Sequence, residues 1–130
     1  LSSPLDRLAG PDRELIAPAP PPDHAGVMKA VLTDDRFSDP DWIFERKLDG
    51  VRCLAIRSGE VVRMLSRNDL SQNARYPEIA DALASEPCAE FAVDGEIVAF
   101  QGSQTSFALL AQRHQRPVRV FFYVFDVLWL

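Results

Sequence analysis

Two apolar strand patterns joined by a short turn constrain this chain most. Residues 51–57 form one apolar run, Ser58-Gly59-Glu60 reads as a turn, and residues 61–66 return. Such a pair predicts a β-hairpin. Residues 42–47 and 91–100 carry further strand patterns. Residues 118–130 are apolar on both alternating faces, which predicts a central buried strand. Pro77 fits the first turn of a helix running to about Ser85, with Ile79 and Leu83 on one face. Residues 106–114 also read as helical, with Phe107, Leu110 and Ala111 on one side. Mixed strands, hairpins and helices predict an α+β domain with antiparallel-rich sheets.

The 130 residues suffice for one domain with a real core. Residues 1–27 lack periodicity, and Ala17-Pro18-Ala19-Pro20-Pro21-Pro22 reads as an extended proline-rich linker. The folded unit is therefore expected over residues 28–130. No apolar run approaches the roughly 20 residues that span a bilayer, and no secretory signal is evident at the start. The chain begins with Leu1, so a piece of something longer is expected. Cys53 and Cys88 have no metal-ligand spacing. Cys53 lies in an apolar run, where a buried free thiol is expected, and with it a reducing, cytoplasmic compartment. His24 and His114 are isolated, and neither reads as a base or metal ligand.

The formal net charge is -5, which counts against strong independent binding to duplex DNA. Basic residues nevertheless crowd the middle, from Arg46 and Lys47 through Arg52, Arg57, Arg63 and Arg67 to Arg75. A local site for phosphates is compatible with the acidic total.

Lys47-Leu48-Asp49-Gly50-Val51-Arg52 carries the chemistry. On a strand, Glu45 and Lys47 would share one face while Trp42 and Phe44 share the other and pack inward. Gly50 permits positive φ or the close approach of a backbone or ligand. Asp49 can bond nearby amides and hold the turn. Arg52 supplies a permanent cation for phosphate or sugar oxygens. The same residues also fit a plain Asp-Gly hairpin turn with a solvated lysine.

Val93-Asp94-Gly95-Glu96-Ile97 places two carboxylates in an apolar run. In a continuous strand they point the same way, at a cost unless cations, donors or a metal satisfy them. An Asp-Gly turn with both acids in water is the alternative. Ser66-Arg67-Asn68 puts an arginine at a strand end. In residues 121–126, Phe125 and Asp126 should face opposite sides. Phe125 either packs in the core or stacks on a purine, worth ~1–3 kcal/mol by analogy with base stacking.

Together these segments resemble the covalent nucleotidyltransferase superfamily, and specifically ATP-dependent DNA ligases. Residues 45–52 look like motif I, Ser66-Arg67-Asn68 like motif Ia, Asp94-Gly95-Glu96 like motif III, and Phe125-Asp126 like motif IIIa. The stretch from Asp39 through Arg52 is most similar to the ligase module of bacterial end-joining ligases, which stands alone or is fused to polymerase and nuclease modules. The resemblance implies the ATP-grasp-like adenylation fold and a set of roles. Lys47 would attack the α-phosphate of ATP and become a lysyl-AMP phosphoramidate, which nicked double-stranded DNA discharges in repair or end joining. Glu45 would read the adenine amino group, and Phe125 would stack on the ring. Arg52 and Arg67 would contact sugar or phosphate oxygens, and Glu96 the ribose or a metal, expected to be Mg²⁺. Such a protein would be associated with the nucleoid and not with a membrane.

A free lysine has a pKa of about 10.4, so nearby positive charge or desolvation must favour its neutral amine. Glu45 is therefore expected to face the base and not to pair with Lys47. The family's two later motifs do not occur before Leu130, nor does its OB-fold domain, so a fragment of a larger ligase with open sheet edges and exposed apolar surface is expected. An RNA ligase, a GTP-using capping enzyme and a non-catalytic nucleotide-binding module are the alternatives.

Overall fold

A computed structural model describes residues 4–22 and 26–130; His24 lies outside the described residues. A short helix, α1 (Gly10–Glu14), precedes an extended proline-rich stretch. The ordered core is a four-stranded antiparallel sheet of β1 (Val51–Ser58), β2 (Val61–Leu65), β3 (Glu90–Val98) and β6 (Phe121–Trp129), in the order β2-β1-β3-β6. Two short strands, β4 (Phe100–Gln101) and β5 (Gln104–Thr105), form a separate hairpin. Helices α2 (Pro77–Ala84) and α3 (Phe107–Ala111) complete the fold. This is the α+β, antiparallel-rich architecture expected from the strand patterns.

The period-two alternation of β1 divides the molecule into two layers. Cys53 and Ala55 face one side, where they meet Met64, Tyr76, Phe91, Val93 and Ile97, with Ile79 of α2 and Leu110 of α3 covering them. A Met, Phe, Val, Ile or Leu side chain among these, once fully buried, contributes about 1.5–3 kcal/mol. Leu54 and Ile56 face the other side with Ala92, packed against Val27, Leu65 and Trp129. Arg57 belongs to the helical side. It is buried, and its guanidinium donates to the carbonyls of Gly59, Leu83, Glu86 and Cys88. It ties the end of α2 to the sheet and is withdrawn from any phosphate site.

The hairpin and α2 form where the sequence places them, and the open apolar edge is present. Two expectations fail. Residues 42–47 form no strand, and Trp42, Ile43 and Phe44 are exposed instead of packed inward. Alternation aims side chains only once a neighbouring strand supplies hydrogen bonds. Neither open edge, β2 or β6, pairs with this segment. Phe37 instead contacts Trp42 edge-to-face at 5.0 Å and Phe44 at 5.6 Å.

The second failure concerns β6, which is an edge strand and not a central one. Tyr123, Val124, Phe125, Val127 and Leu128 remain exposed. Apolarity on both faces reports what a strand can bury, not whether a neighbour lies beyond it. The continuous strand expected through Asp94-Gly95 does form, as β3, and the alternative Asp-Gly turn does not. A Cβ on Gly95 would lie 2.6 Å from Phe122 Cε2, so glycine here lets β6 close on β3.

The proline-rich stretch is also tethered: the Trp129 indole N–H donates to the Ala19 carbonyl at 3.0 Å. Among the described residues, no helix is long and apolar enough to cross a membrane.

Candidate active site

Gly50 brings the motif loop onto the sheet. A Cβ there would collide with the Ile97 carbonyl oxygen and lie 2.8 Å from Val98 Cγ1. Among the described glycines, positive φ belongs to Gly59 and Gly102. Gly50 is therefore required for close backbone approach and not for a left-handed turn. Asp49 secures the loop at a distance. Its amide donates to Thr105 Oγ1 at 2.9 Å, and its carboxylate accepts from the Phe107 amide at 3.0 Å. Asp49 thus joins the N-cap residue Ser106 in satisfying the free amides at the start of α3. Arg46 adds a bond from its guanidinium to the Ser103 carbonyl at 3.2 Å.

These anchors set Lys47 in the lining of an open cavity of about 640 Å³ on the face of the sheet opposite the helices. Glu45, Lys47, Arg52, Glu96 and Phe125 all line it. Among the described residues, no ion pair joins Glu45 to Lys47. Arg67 is not brought there. It follows β2, at the edge opposite β6, and borders a small pocket of about 170 Å³ with Gly26, Lys29 and Ser66. A strand-end arginine carries no information about which edge its strand will occupy.

Arg52 and Asp94 form the floor. The Arg52 guanidinium donates two bonds to the Asp94 carboxylate, at 2.9 and 2.5 Å. Asp94 is almost fully buried, so this bidentate pair supplies the compensation that a buried acid requires. The bond to Asp94 pushes the Arg52 pKa up, against the opposing effect of burial. The guanidinium carbon also lies 5.2 Å from the centre of the Phe125 ring, within range of a cation–π contact.

Glu96 sits opposite Arg52 in the β1–β3 register. Burial raises its pKa above the ordinary carboxylate range, while the Gly50 backbone and the charges of Arg52 and Lys47 oppose the shift. Lys47 and Glu96 line the same cavity.

Phe125 reaches the cavity through an irregularity. Asp94 pairs with Asp126 but Gly95 pairs with Val124, so Phe125 is an extra residue in β6. A β-bulge of this kind breaks the alternation. Phe125 and Asp126 consequently line the same cavity instead of facing opposite sides. Sequence reasoning missed Asp126, Tyr123 and Met28, which also line it. Tyr123 was detectable as two residues from Phe125 on a strand; Met28 carried no signal.

Comparison with known proteins gives the same answer. The model of the ATP dependent DNA ligase domain matches residues 25–130. The multifunctional non-homologous end joining protein LigD of Mycolicibacterium smegmatis is 31% identical over 113 residues, covering 86% of this chain and 15% of that protein. A probable DNA ligase of Mycobacterium marinum is 38% identical over 80 residues, covering 60% of this chain and 16% of that protein. Among solved structures, a mycobacterial DNA ligase D complexed with ATP and MES superposes with a TM-score of 0.58 at 35% identity, covering 65% of this chain and 28% of that one. The chain thus spans about a sixth of the length of these two curated relatives. With the four motif-like segments in order and a family match over residues 25–130, this chain belongs to the ATP-dependent DNA ligase domain family.

Proposed function

We propose that residues 28–130 are part of an adenylation domain that seals DNA nicks through a lysyl-AMP intermediate, with residues 1–27 as its leading linker. The observation that carries the reading is the convergence of Lys47, Arg52, Glu96 and Phe125 on one cavity. The neutral Lys47 amine attacks the α-phosphorus of ATP. A phosphorus–nitrogen bond forms, the bond to pyrophosphate breaks, and the amine loses a proton. Nicked double-stranded DNA then takes the AMP on its 5′-phosphate, and attack by the 3′-hydroxyl closes the strand and releases AMP.

The remaining residues bind and orient. Arg52, fixed by Asp94, presents positive charge to sugar or phosphate oxygens. Phe125 offers the ring face away from Arg52 to adenine, and Glu45 is assigned its amino group. Arg67 stands on the far edge and would contact only a ligand extending past the 26–30 segment, which borders both pockets. Among the described residues, no group of three His, Cys, Asp or Glu side chains could hold a metal alone. The donors still fit Mg²⁺, which takes one or two carboxylates and completes its shell with water and phosphate. Glu96 would hold it, with Asp126 in the same cavity, and the ion would neutralise phosphate charge. The relationship to LigD supports a role in DNA repair by end joining, beside polymerase and nuclease modules or other end-joining proteins.

Mass spectrometry of the purified protein after incubation with ATP tests this reading. A mass increase matching AMP, mapped to Lys47 and discharged by nicked DNA, is the expected result. An adduct formed with GTP alone would overturn it in favour of a capping-type enzyme.

A further inference from the structure

A second concentration of positive charge lies outside the cavity. The turn after α3 and the approach to β6 contain Arg113, His114, Arg116 and Arg119 within seven residues. Arg113, Arg116 and Arg119 line an open groove of about 780 Å³, with Glu78 of α2 on its wall. Arg113 is committed to structure. It grips Glu78 through both guanidinium arms, donates to the Arg75 and Val118 carbonyls, and lies 5.4 Å from the centre of the buried Tyr76 ring. Glu78 is thereby neutralised within the groove.

Arg116 and Arg119 differ. Both are exposed, and among the described residues neither is ion-paired. The Arg116 guanidinium donates to the neutral Gln112 amide oxygen, at 2.7 Å. Arg119 lies 5.0 Å from the centre of the Phe121 ring. Phe121 contacts Phe100, and Phe100 contacts Tyr123, at 5.6 and 5.8 Å. Phe100 and Tyr123 line the candidate active-site cavity. A row of ring contacts therefore connects Arg119 to the candidate active-site cavity.

We infer that Arg116 and Arg119 grip the phosphate backbone of duplex DNA along this groove and hold the duplex beside the cavity. In a chain of net charge -5, two unpaired arginines spaced three residues apart and fixed by local contacts are suited to phosphate, which guanidinium groups bind bidentately. Backbone contacts of this kind position the nucleic acid without reading its sequence. The inference rests on the proposed ligase reading, but it concerns different residues and a different measurement.

The test is binding of a nicked duplex to the wild-type protein and to the double variant R116Q/R119Q across a salt series. Each lost phosphate contact lowers the slope of log affinity against log salt by about 1, so the double variant should lower it by about 2 and bind more weakly. Circular dichroism checks that the variant folds; neither side chain is buried. Adduct formation from ATP is read on the same samples. An unchanged slope, or no DNA binding by the wild type at low salt, overturns the groove whatever the adduct yield. Loss of the Lys47 adduct in the wild type would instead count against the active-site reading.

Discussion

Arg52 holds the buried Asp94 carboxylate with two parallel hydrogen bonds while its guanidinium carbon lies 5.2 Å from the Phe125 ring centre. One cation thus neutralises the acid inside β3 and sets the ring in β6. Removing it leaves an uncompensated charge in the sheet. Arg52→Met should cost about 3–5 kcal/mol of unfolding free energy, and Arg52→Met with Asp94→Leu should recover most of it. Urea denaturation of both variants checks this; a single-variant loss below about 1 kcal/mol would place the pair among weak surface bridges.

Glu96 gives the stability of the protein a pH dependence. Burial holds its folded-state pKa above the ordinary glutamate value, so the native state binds the proton more tightly than the unfolded chain. The associated stability is fully present below the unfolded pKa and is lost as pH rises through the folded one. Glu96→Gln mimics the protonated form. It should match the wild type in acid and gain on it towards neutral pH in thermal melts. An offset that does not change with pH would contradict this.

Gly50→Ala forces a methyl group into the Ile97 carbonyl and Val98. The start of β1 must then move off β3, at a cost of about 1–3 kcal/mol, and Arg52 and the Lys47 loop move with it. Both stability and AMP adduct yield should fall. The control is Gly10→Ala, where a Cβ meets nothing within 4 Å and neither measurement should respond.

Phe125→Ala removes the ring assigned to adenine. The apparent affinity for ATP in adduct formation should weaken by ~1–3 kcal/mol, with Phe125→Tyr retaining most of it. Equal ATP dependence in the wild type and Phe125→Ala would leave the ring a packing partner of Arg52 only.

Cys53 is fully buried, and burial pushes its thiol pKa up to about 12. Thiolate is the reactive species. Iodoacetamide should therefore modify the less buried Cys88 in the native protein and reach Cys53 only on unfolding, as peptide mapping would detect.

What was legible divides along a physical line. The β1–β2 hairpin follows from Gly59, which adopts φ +60 in the turn, and from apolar runs on either side. Helix α2 follows from Pro77 at its start. Both depend on residues close in sequence. The placement of β6 does not, because edge or centre is decided by what lies beyond the strand. The basic residues of the middle segment show the same limit. Arg57 turns beneath α2, Arg67 goes to the far edge, and Arg52 enters the cavity, although the three are alike as sequence. Arg116 and Arg119, which line the second groove, lie outside the crowded stretch.

The sequence by itself determined the alternating strands, the turn at Gly59, the start of α2 and the motif order that identifies the family, since these rest on local backbone preference and side-chain chemistry. Only the tertiary structure decided that Asp94 is the partner of Arg52, that a bulge swings Phe125 into the cavity beside Asp126, and that Asp49 anchors α3. Each depends on pairing register and packing between residues 29 to 58 positions apart, where the free energy of a contact is set by the neighbour that folding supplies.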